Sequence, residues 1–522
     1  MKKRIVLLTV ACMCTLAACV PAAKEPTAGS SDIAANVSST VQTDDVSEEK
    51  TYIMGTEQFP AALDPANEWD GWFTVRYGIG ETLFRLNENL DVEPWLADSF
   101  ESIDENTWAI TLKDGIKFSN GNDLTPEMVV KNFEKIAELN SRAAYLKEAE
   151  YTVDGNKIII KTKEPRASFI NDLTDPYAAI IDLSADGDIK TSPVGTGPYM
   201  CVEFVADTSA TMVPNTDYWN GTPKMSKVVI KKILDKETGA MALGNGELDA
   251  FVELNPQSYQ TFLENDAYTA ASIPTSRVYA AYFNTETMSD VNLRKAIHLA
   301  IDKESIGQYL LNGAMTATES PFIDSTAYGS SKLATEKFDL DAARELLKES
   351  GYEDTDGNGF LEKDGKELNI DIKYYSRLSL EAIATEVQAS LAKLGINATV
   401  TKSDNSDYLK SGDFDMGFYT VVTTPTGDPQ SYLETTMREG GVTNFCKYHS
   451  KEADALLDDL NKETDSLKRA EIAVKLGQLL YDSYSVEYIG FNNLNVVTKK
   501  NVIGYYPHPS DYYQITVDLD KN

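Results

Sequence analysis

The sequence predicts an α/β fold, and three observations carry that reading. Strand-like and helix-like stretches interleave along the chain, the pattern of mixed α/β domains. One stretch, 368–402, reads as strand, helix, strand, the crossover unit of parallel sheets. Composition is that of a globular chain, 42% hydrophobic and 25% charged, not of a disordered or fibrous one. At roughly 100–200 residues per domain, the 522 residues allow two to four domains, each large enough for its own core.

The elements follow in order. Lys2, Lys3 and Arg4 precede an apolar stretch, Ile5 to Leu16, shorter than the roughly 20 residues a spanning helix needs. Residues 1–18 are therefore expected to be a secretory signal. Leu16-Ala17-Ala18-Cys19 is similar to a bacterial lipobox, which predicts cleavage before Cys19 and its acylation; the plainer alternative is an ordinary signal cut at a small-residue site. Two or more acyl chains make a stable membrane anchor. Residues 19–50, rich in Ala, Ser, Thr, Asp and Glu, have too little apolar surface to order and read as a tether. Past Tyr52 aromatics become frequent, and no later run is long enough to cross a membrane.

Thr107 to Lys113 alternates as a half-buried strand. Thr125-Pro126 opens a helix through Leu139, with Thr as N-cap and Pro in the first turn. Lys157 to Thr162 and Val228 to Ile233 are further strands. Asp290 caps a helix through about Ile301, and Asp339 or Asp341 starts another that Gly351 ends. Leu368, Ile370, Ile372 and Tyr374 alternate in a strand; Ser379 caps a helix with Ile383, Val387, Leu391 and Leu394 on its buried side; Ile396 to Val400 is the returning strand. Ligands of such sheets collect at the carboxyl ends of strands, which points to Tyr375 through Arg377.

Chemistry is bounded mainly by what is missing. A net charge of −33 with no basic face argues against a nucleic-acid partner. The nucleophile elbow, the zinc His-Glu-x-x-His, the phosphate loop and the dinucleotide glycine motif are absent, so neither enzymatic activity nor a cofactor is predicted. Cys12 and Cys14 leave with the signal; Cys201 and Cys446 read as free, mostly buried thiols, although the two could pair. His298 reads as a packing or surface residue of its helix, not a ligand. His508, among Tyr505, Tyr506, Tyr512 and Tyr513, is more open and is the candidate metal ligand. Asp354 to Gly359 resembles the start of a calcium loop, but the closing acid is replaced by Gly365, so it reads as an acidic hairpin.

Several blocks occur in the order found in one family: Glu93 to Phe100, Gly115 to Gly121 followed by Leu124 to Glu127, Pro193 to Tyr199, Asn215 to Trp219, Gly246 to Asp249, Phe283-Asn284, Leu293 to Ile297, and Ala342-Ala343 to Gly351-Tyr352. Over about 52–519 the chain resembles family 5 of the extracytoplasmic solute-binding proteins, which serve peptide and nickel ABC importers. The resemblance implies a periplasmic-binding-protein-like class II fold of two lobes joined by a hinge. Lobe I would span 51–275 with an inserted subdomain at about 87–190, lobe II 276–490, with 491–522 returning to lobe I.

The resemblance also supplies most site candidates. In the family the segment matching Leu63 to Tyr77 lines the first lobe's cleft, which nominates Trp69, Trp72, Arg76 and Tyr77; alternatively the tryptophans pack the core and Arg76 pairs with Asp70. Phe118 to Gly121 and Asn140 to Tyr145 look like the nickel and metallophore branch, where an arginine matching Arg142 grips a metal chelate. A planar guanidinium forks onto carboxylates, although an arginine there also suits the end of the 126–139 helix. Asp413 to Thr420 reads as a second-lobe strand, and its following loop would face the cleft, nominating Tyr419, Thr424 and Asp428 beside Arg377. Two departures stand out. The histidine of the enteric nickel-binding protein has no counterpart in Arg438 to Val442, and the amine-gripping aspartate of peptide binders is replaced by Thr423-Thr424-Pro425-Thr426.

The implied function is that of a monomeric, lipid-anchored protein on the extracytoplasmic face of the membrane. It would hand a metal chelate, or alternatively a di- or oligopeptide, to an ABC permease and its ATPase.

Overall fold

Two long antiparallel strands, Tyr268–Phe283 and Val486–Lys499, organise the fold. The computed structural model describes residues 49–522; the expected signal, Cys19 and the tether up to residue 48 lie outside the described residues. Both long strands run through an eleven-stranded sheet and belong to both of its halves. Their pairing breaks between Pro274 and Val278, as expected where a proline cannot donate to the ladder. Thr275 Oγ1 donates instead to the Asn492 carbonyl (2.8 Å), and the Tyr279 hydroxyl donates to Asn492 Oδ1 (2.9 Å). This irregular crossing forms a neck between the halves.

On one side of the neck Thr51–Thr56 lies parallel to Lys227–Lys232 and Ala250–Val252, with Ser209–Pro214 and Tyr199–Val205 beyond. On the other, Met416–Val422 pairs with Asn369–Tyr375, which in turn pairs with Asn397–Ser403. The expected crossover is present: Asn369–Tyr375 and Asn397–Ser403 are parallel and joined by the helix Leu380–Ala392, with Ile383, Val387 and Leu391 buried. Ser379 holds the N-cap position but makes no side-chain capping bond. The strand expected from Asp413 starts later, at Met416. Asp413 and Asp415 are engaged by neighbours instead, Asp413 by Lys373 (2.6 Å) and Asp415 by the Asp371 amide (2.9 Å).

A separate antiparallel sheet of Ala97–Asp104, Thr107–Leu112, Lys157–Thr162 and Ala149–Asp154 is backed by the helix Pro126–Leu139 and encloses its own core around Trp108, Ile110, Phe133 and Phe169. Thr125 caps that helix through the Met128 amide, and Asp290 and Asp339 cap Val291–Leu299 and Leu340–Glu349. Two sequence blocks converge on Glu81, which is fully buried and accepts from Thr196 Oγ1 (2.7 Å), the Tyr218 hydroxyl (2.6 Å) and Trp219 Nε1 (2.9 Å). Burial pushes this carboxyl up to about 7, against the downward pull of the three hydrogen bonds.

Cys201 and Cys446 are free and buried in different cores, and burial raises both thiols to about 11. In the acidic loop, Asp354 accepts from the Gly357 and Gly359 amides (2.7 and 3.0 Å), so its oxygens serve the turn itself. The short hairpin Glu362–Lys363 with Lys366–Glu367 follows.

The halves also touch away from the neck. Asn171 Nδ2 donates to the Thr426 carbonyl (3.2 Å), the Ala167 amide to Asn461 (3.0 Å) and the Tyr512 hydroxyl to Pro425 (2.8 Å). At Gly427, with φ +70°, an added Cβ would lie 2.1 Å from the Leu90 carbonyl oxygen. The residue must be glycine for both the turn and the approach.

Candidate functional site

The neck encloses a cavity of about 50 Å³, lined from both halves by Trp72, Glu253, Arg277, Val422, Asn492 and Asp511 among others. Glu253 directly follows the strand Ala250–Val252 and takes a left-handed conformation, φ +63°. A non-glycine residue adopts this at a cost of roughly 1–3 kcal/mol, and the bend brings its carboxylate to the cavity wall. Burial, then the neighbouring Asp511 charge, raises the Glu253 carboxyl above its ordinary range. Arg277 stands at the break in the 268–283 strand; burial and then the like charge of Arg377 lower its guanidinium. Among the described residues no ion-pair partner reaches Glu253, Arg277 or Arg377; Gln58 Nε2 approaches Glu253 at 3.4 Å.

Above the cavity the first half contributes an aromatic wall. Trp69 and Trp72 lie 5.3 Å apart, and Trp72 stacks on Tyr177 at 6.4 Å and meets Tyr512 at 5.8 Å. Arg142 sits in the turn Ser141–Ala143, capped by Asn140, so its side chain leaves the 126–139 helix and turns to the wall. Its guanidinium carbon lies 3.4 Å from the Trp69 ring centre while Nε donates to Glu68 at 3.2 Å. Trp69 keeps 45% of its surface exposed. On the second half Tyr375 and Tyr419 have ring centres 6.0 Å apart, and the exposed Arg377 follows the end of the Asn369–Tyr375 strand.

The structure thus groups Trp69, Trp72 and Arg142 on the first half and sets Tyr419 near Arg277 and Arg377 on the second, with Trp72 lining the neck cavity, and it corrects other expectations. Tyr77 is fully buried against Phe59 and Phe73 and is a core residue. Arg76 is buried and pairs with Asp511 (2.6 Å), not with Asp70, whose carboxylate takes the Asn67 amide at 2.7 Å; Arg76 acts by holding Asp511 at the cavity. Asp428 is buried with both oxygens taken by Arg469, at 2.7 and 2.8 Å from Nη2, so it braces the second half and offers no free carboxylate. Thr424 is fully buried in the same loop. His508 gives no metal ligand: Nε2 donates to the Asn87 carbonyl (3.0 Å), Nδ1 meets Ser510 Oγ (2.7 Å), and burial lowers it to about 4, which keeps the ring neutral.

Glu253, Arg277 and Tyr177 were not found by sequence reasoning. For Arg277 a signal existed, a lone charge in an otherwise uncharged strand; Glu253 follows closely on the Gly246 to Asp249 block. A second polar cluster lies apart from the cleft. His298 Nδ1 meets Glu487 at 2.8 Å, and Lys303 reaches Glu487 (2.7 Å) and Glu319. Its carboxylates have donor geometry for a metal, but the Lys303 ammonium already supplies the cation. Burial opposes ionisation of Glu487, yet His298 and Lys303 outweigh it and hold the carboxyl low.

Residues 91–444 match the family of bacterial extracellular solute-binding proteins, family 5 middle. The chain is 27% identical to the nickel-binding protein NikA of Staphylococcus aureus over 448 residues, 84% of this chain and 89% of that one. It is 26% identical to the oligopeptide-binding protein AppA of Bacillus subtilis, covering 83% and 84%. Among solved structures, the nickel ABC transporter protein from Bacillus halodurans superposes with a TM-score of 0.83 at 28% identity, over 90% of this chain and all of that one.

Proposed function

The chain belongs to the bacterial extracellular solute-binding proteins of family 5, and on that premise we propose that it captures a transition metal, nickel in the first instance, within an organic chelate and delivers it to the permease of an ABC importer. The observation that carries this reading is the make-up of the cleft. Arg142 is stacked on Trp69, and among the described residues Arg277 and Arg377 make no ion pair, while neither histidine nor cysteine lines the neck cavity. Such a surface grips the carboxylates and flat faces of an organic shell, not the bare ion. The nickel-binding relative and the similar nickel transporter structure support the choice of metal. Solute capture would shift the halves toward the closed arrangement that a permease recognises. No residue of the cleft is assigned a catalytic role.

A di- or oligopeptide is the second reading, favoured by the oligopeptide-binding relative and by the presence of both signs of charge in the cavity. Cys19 is proposed as the acylated anchor holding a monomer at the extracytoplasmic face, and 51–275 with 491–522 and 276–490 as the two lobes. Calorimetry with nickel alone, nickel with histidine and nickel with an opine-type chelator tests the first reading. Affinity only for the complexed metal is expected, and heat from none of them, with a rise in melting temperature on peptides, would reverse the order of the two readings.

A further inference from the structure

Resting on the solute-capture reading, the charges at the neck say more about the solute than that it is anionic. Glu253 and Arg277 line the same cavity of about 50 Å³, yet they are not paired with each other. A volume of that size holds a charged head group or a few waters and not a whole solute. Two opposite charges, mostly removed from water and not paired with each other, each carry a desolvation cost. Each gains most from a ligand group of the opposite sign.

The surroundings keep the two apart. Glu253 is fixed by its left-handed backbone and by its amide bond to the Asn495 carbonyl (2.8 Å). Arg277 is fixed by the interrupted strand, where its own amide donates to Thr275 Oγ1 (3.3 Å). Behind Glu253, Asp511 adds a second carboxylate whose direction is set by Arg76 (2.6 Å) and Gln514 (3.2 Å). Arg277 lies in register with Val422 of the second half, and Arg377, two residues past the Asn369–Tyr375 strand of that half, is the neighbouring cation. The cleft floor is thus polarised, with acid on the first half's side and guanidinium on the other.

We propose that Glu253 is the determinant of an amino-group subsite, backed by Asp511, and that Arg277 with Arg377 takes a carboxylate of the same solute. On either reading the solute carries both groups, and its amine, free and protonated or bound to metal, donates N–H to Glu253. Trp72 lines the same cavity and gives it an apolar wall beside both groups. This assignment lies on the first half, away from the 423–426 loop.

Calorimetry on the wild type, Glu253→Gln and Arg277→Gln with two probe pairs tests it. One pair is nickel–histidine against nickel–EDTA, which has no N–H; the other is trialanine against N-acetyl-trialanine. The wild type is expected to favour the amine-bearing member of any pair it binds by at least about tenfold, a difference of about 1.4 kcal/mol. Glu253→Gln should abolish that preference and leave the amine-free probe unchanged, whereas Arg277→Gln should weaken both members. Equal affinity within a pair overturns the proposal without any variant, and so does a Glu253→Gln protein that keeps the preference. An amine preference among peptides with no affinity for chelates supports the subsite and removes the chelate reading. Chelate binding indifferent to Glu253 does the reverse, and silence from every probe overturns both.

Discussion

The Arg142 guanidinium carbon lies 3.4 Å from the centre of the Trp69 ring, and Nε of the same side chain donates to Glu68 at 3.2 Å. Two consecutive residues, Glu68 and Trp69, thereby hold one flat cation that enters the sequence 74 positions after Glu68. The Arg142 side chain keeps about a third of its surface exposed, so this ion pair adds little to stability. Arg142→Lys retains the charge and loses the fork and the stacking face. We expect it to weaken nickel–histidine binding by about tenfold, roughly 1.4 kcal/mol, with an unchanged melting temperature; a melting shift without loss of affinity would make Arg142 structural.

Asp428 behaves in the opposite way. Its carboxylate and the Arg469 guanidinium are both buried and share three hydrogen bonds. Asp428→Asn leaves an uncompensated buried cation, which typically costs about 3–5 kcal/mol. Urea unfolding should reveal that loss, while replacing both partners by apolar residues of similar volume should recover most of it.

Glu81 makes stability depend on pH. Its carboxyl sits at about 7 in the folded chain against an ordinary 4.5, so the native state holds a proton the unfolded chain has released. The contribution is fully present below about 4.5 and is lost as pH rises through about 7. Glu81→Gln should flatten the fall in stability across that window, by up to about 3 kcal/mol. Denaturation curves at a series of pH values read it directly, and parallel curves for both proteins would exclude the effect.

Local patterns made much of this visible beforehand. Caps at Thr125, Asp290 and Asp339 mark helix starts because a short side chain serves the nearest free amides. Alternation from Ile370 to Tyr374 marks a strand because one face of it is buried. What stayed hidden depends on distant partners. Asp428 looks like a free carboxylate until Arg469, 41 residues on, is placed beside it, and Arg76 finds Asp511 across 435 residues. Tyr77 and Trp72 are equally aromatic in sequence, and only packing sends one to the core and the other to the cleft.

Gly427 sits at a close backbone approach. An added methyl would meet the Leu90 carbonyl oxygen at 2.1 Å. Gly427→Ala should shift the protein toward open forms and lower solute affinity through faster release. X-ray scattering with saturating solute would show a larger radius of gyration than the wild type; identical curves would mean that the loop yields.

The long Val486–Lys499 strand brings the chain back to its beginning. Its last residues complete the sheet around Ala250–Val252, after which Asp511 meets Arg76, Asp520 meets Lys50 (2.8 Å) and Lys521 meets Asp249 (2.8 Å). The portion synthesised first is therefore finished last, and a nascent chain lacking its final few dozen residues leaves strand edges open that nothing local can cover. Clipping the carboxyl end would unravel the amino-terminal portion and spare the crossover strands in the middle.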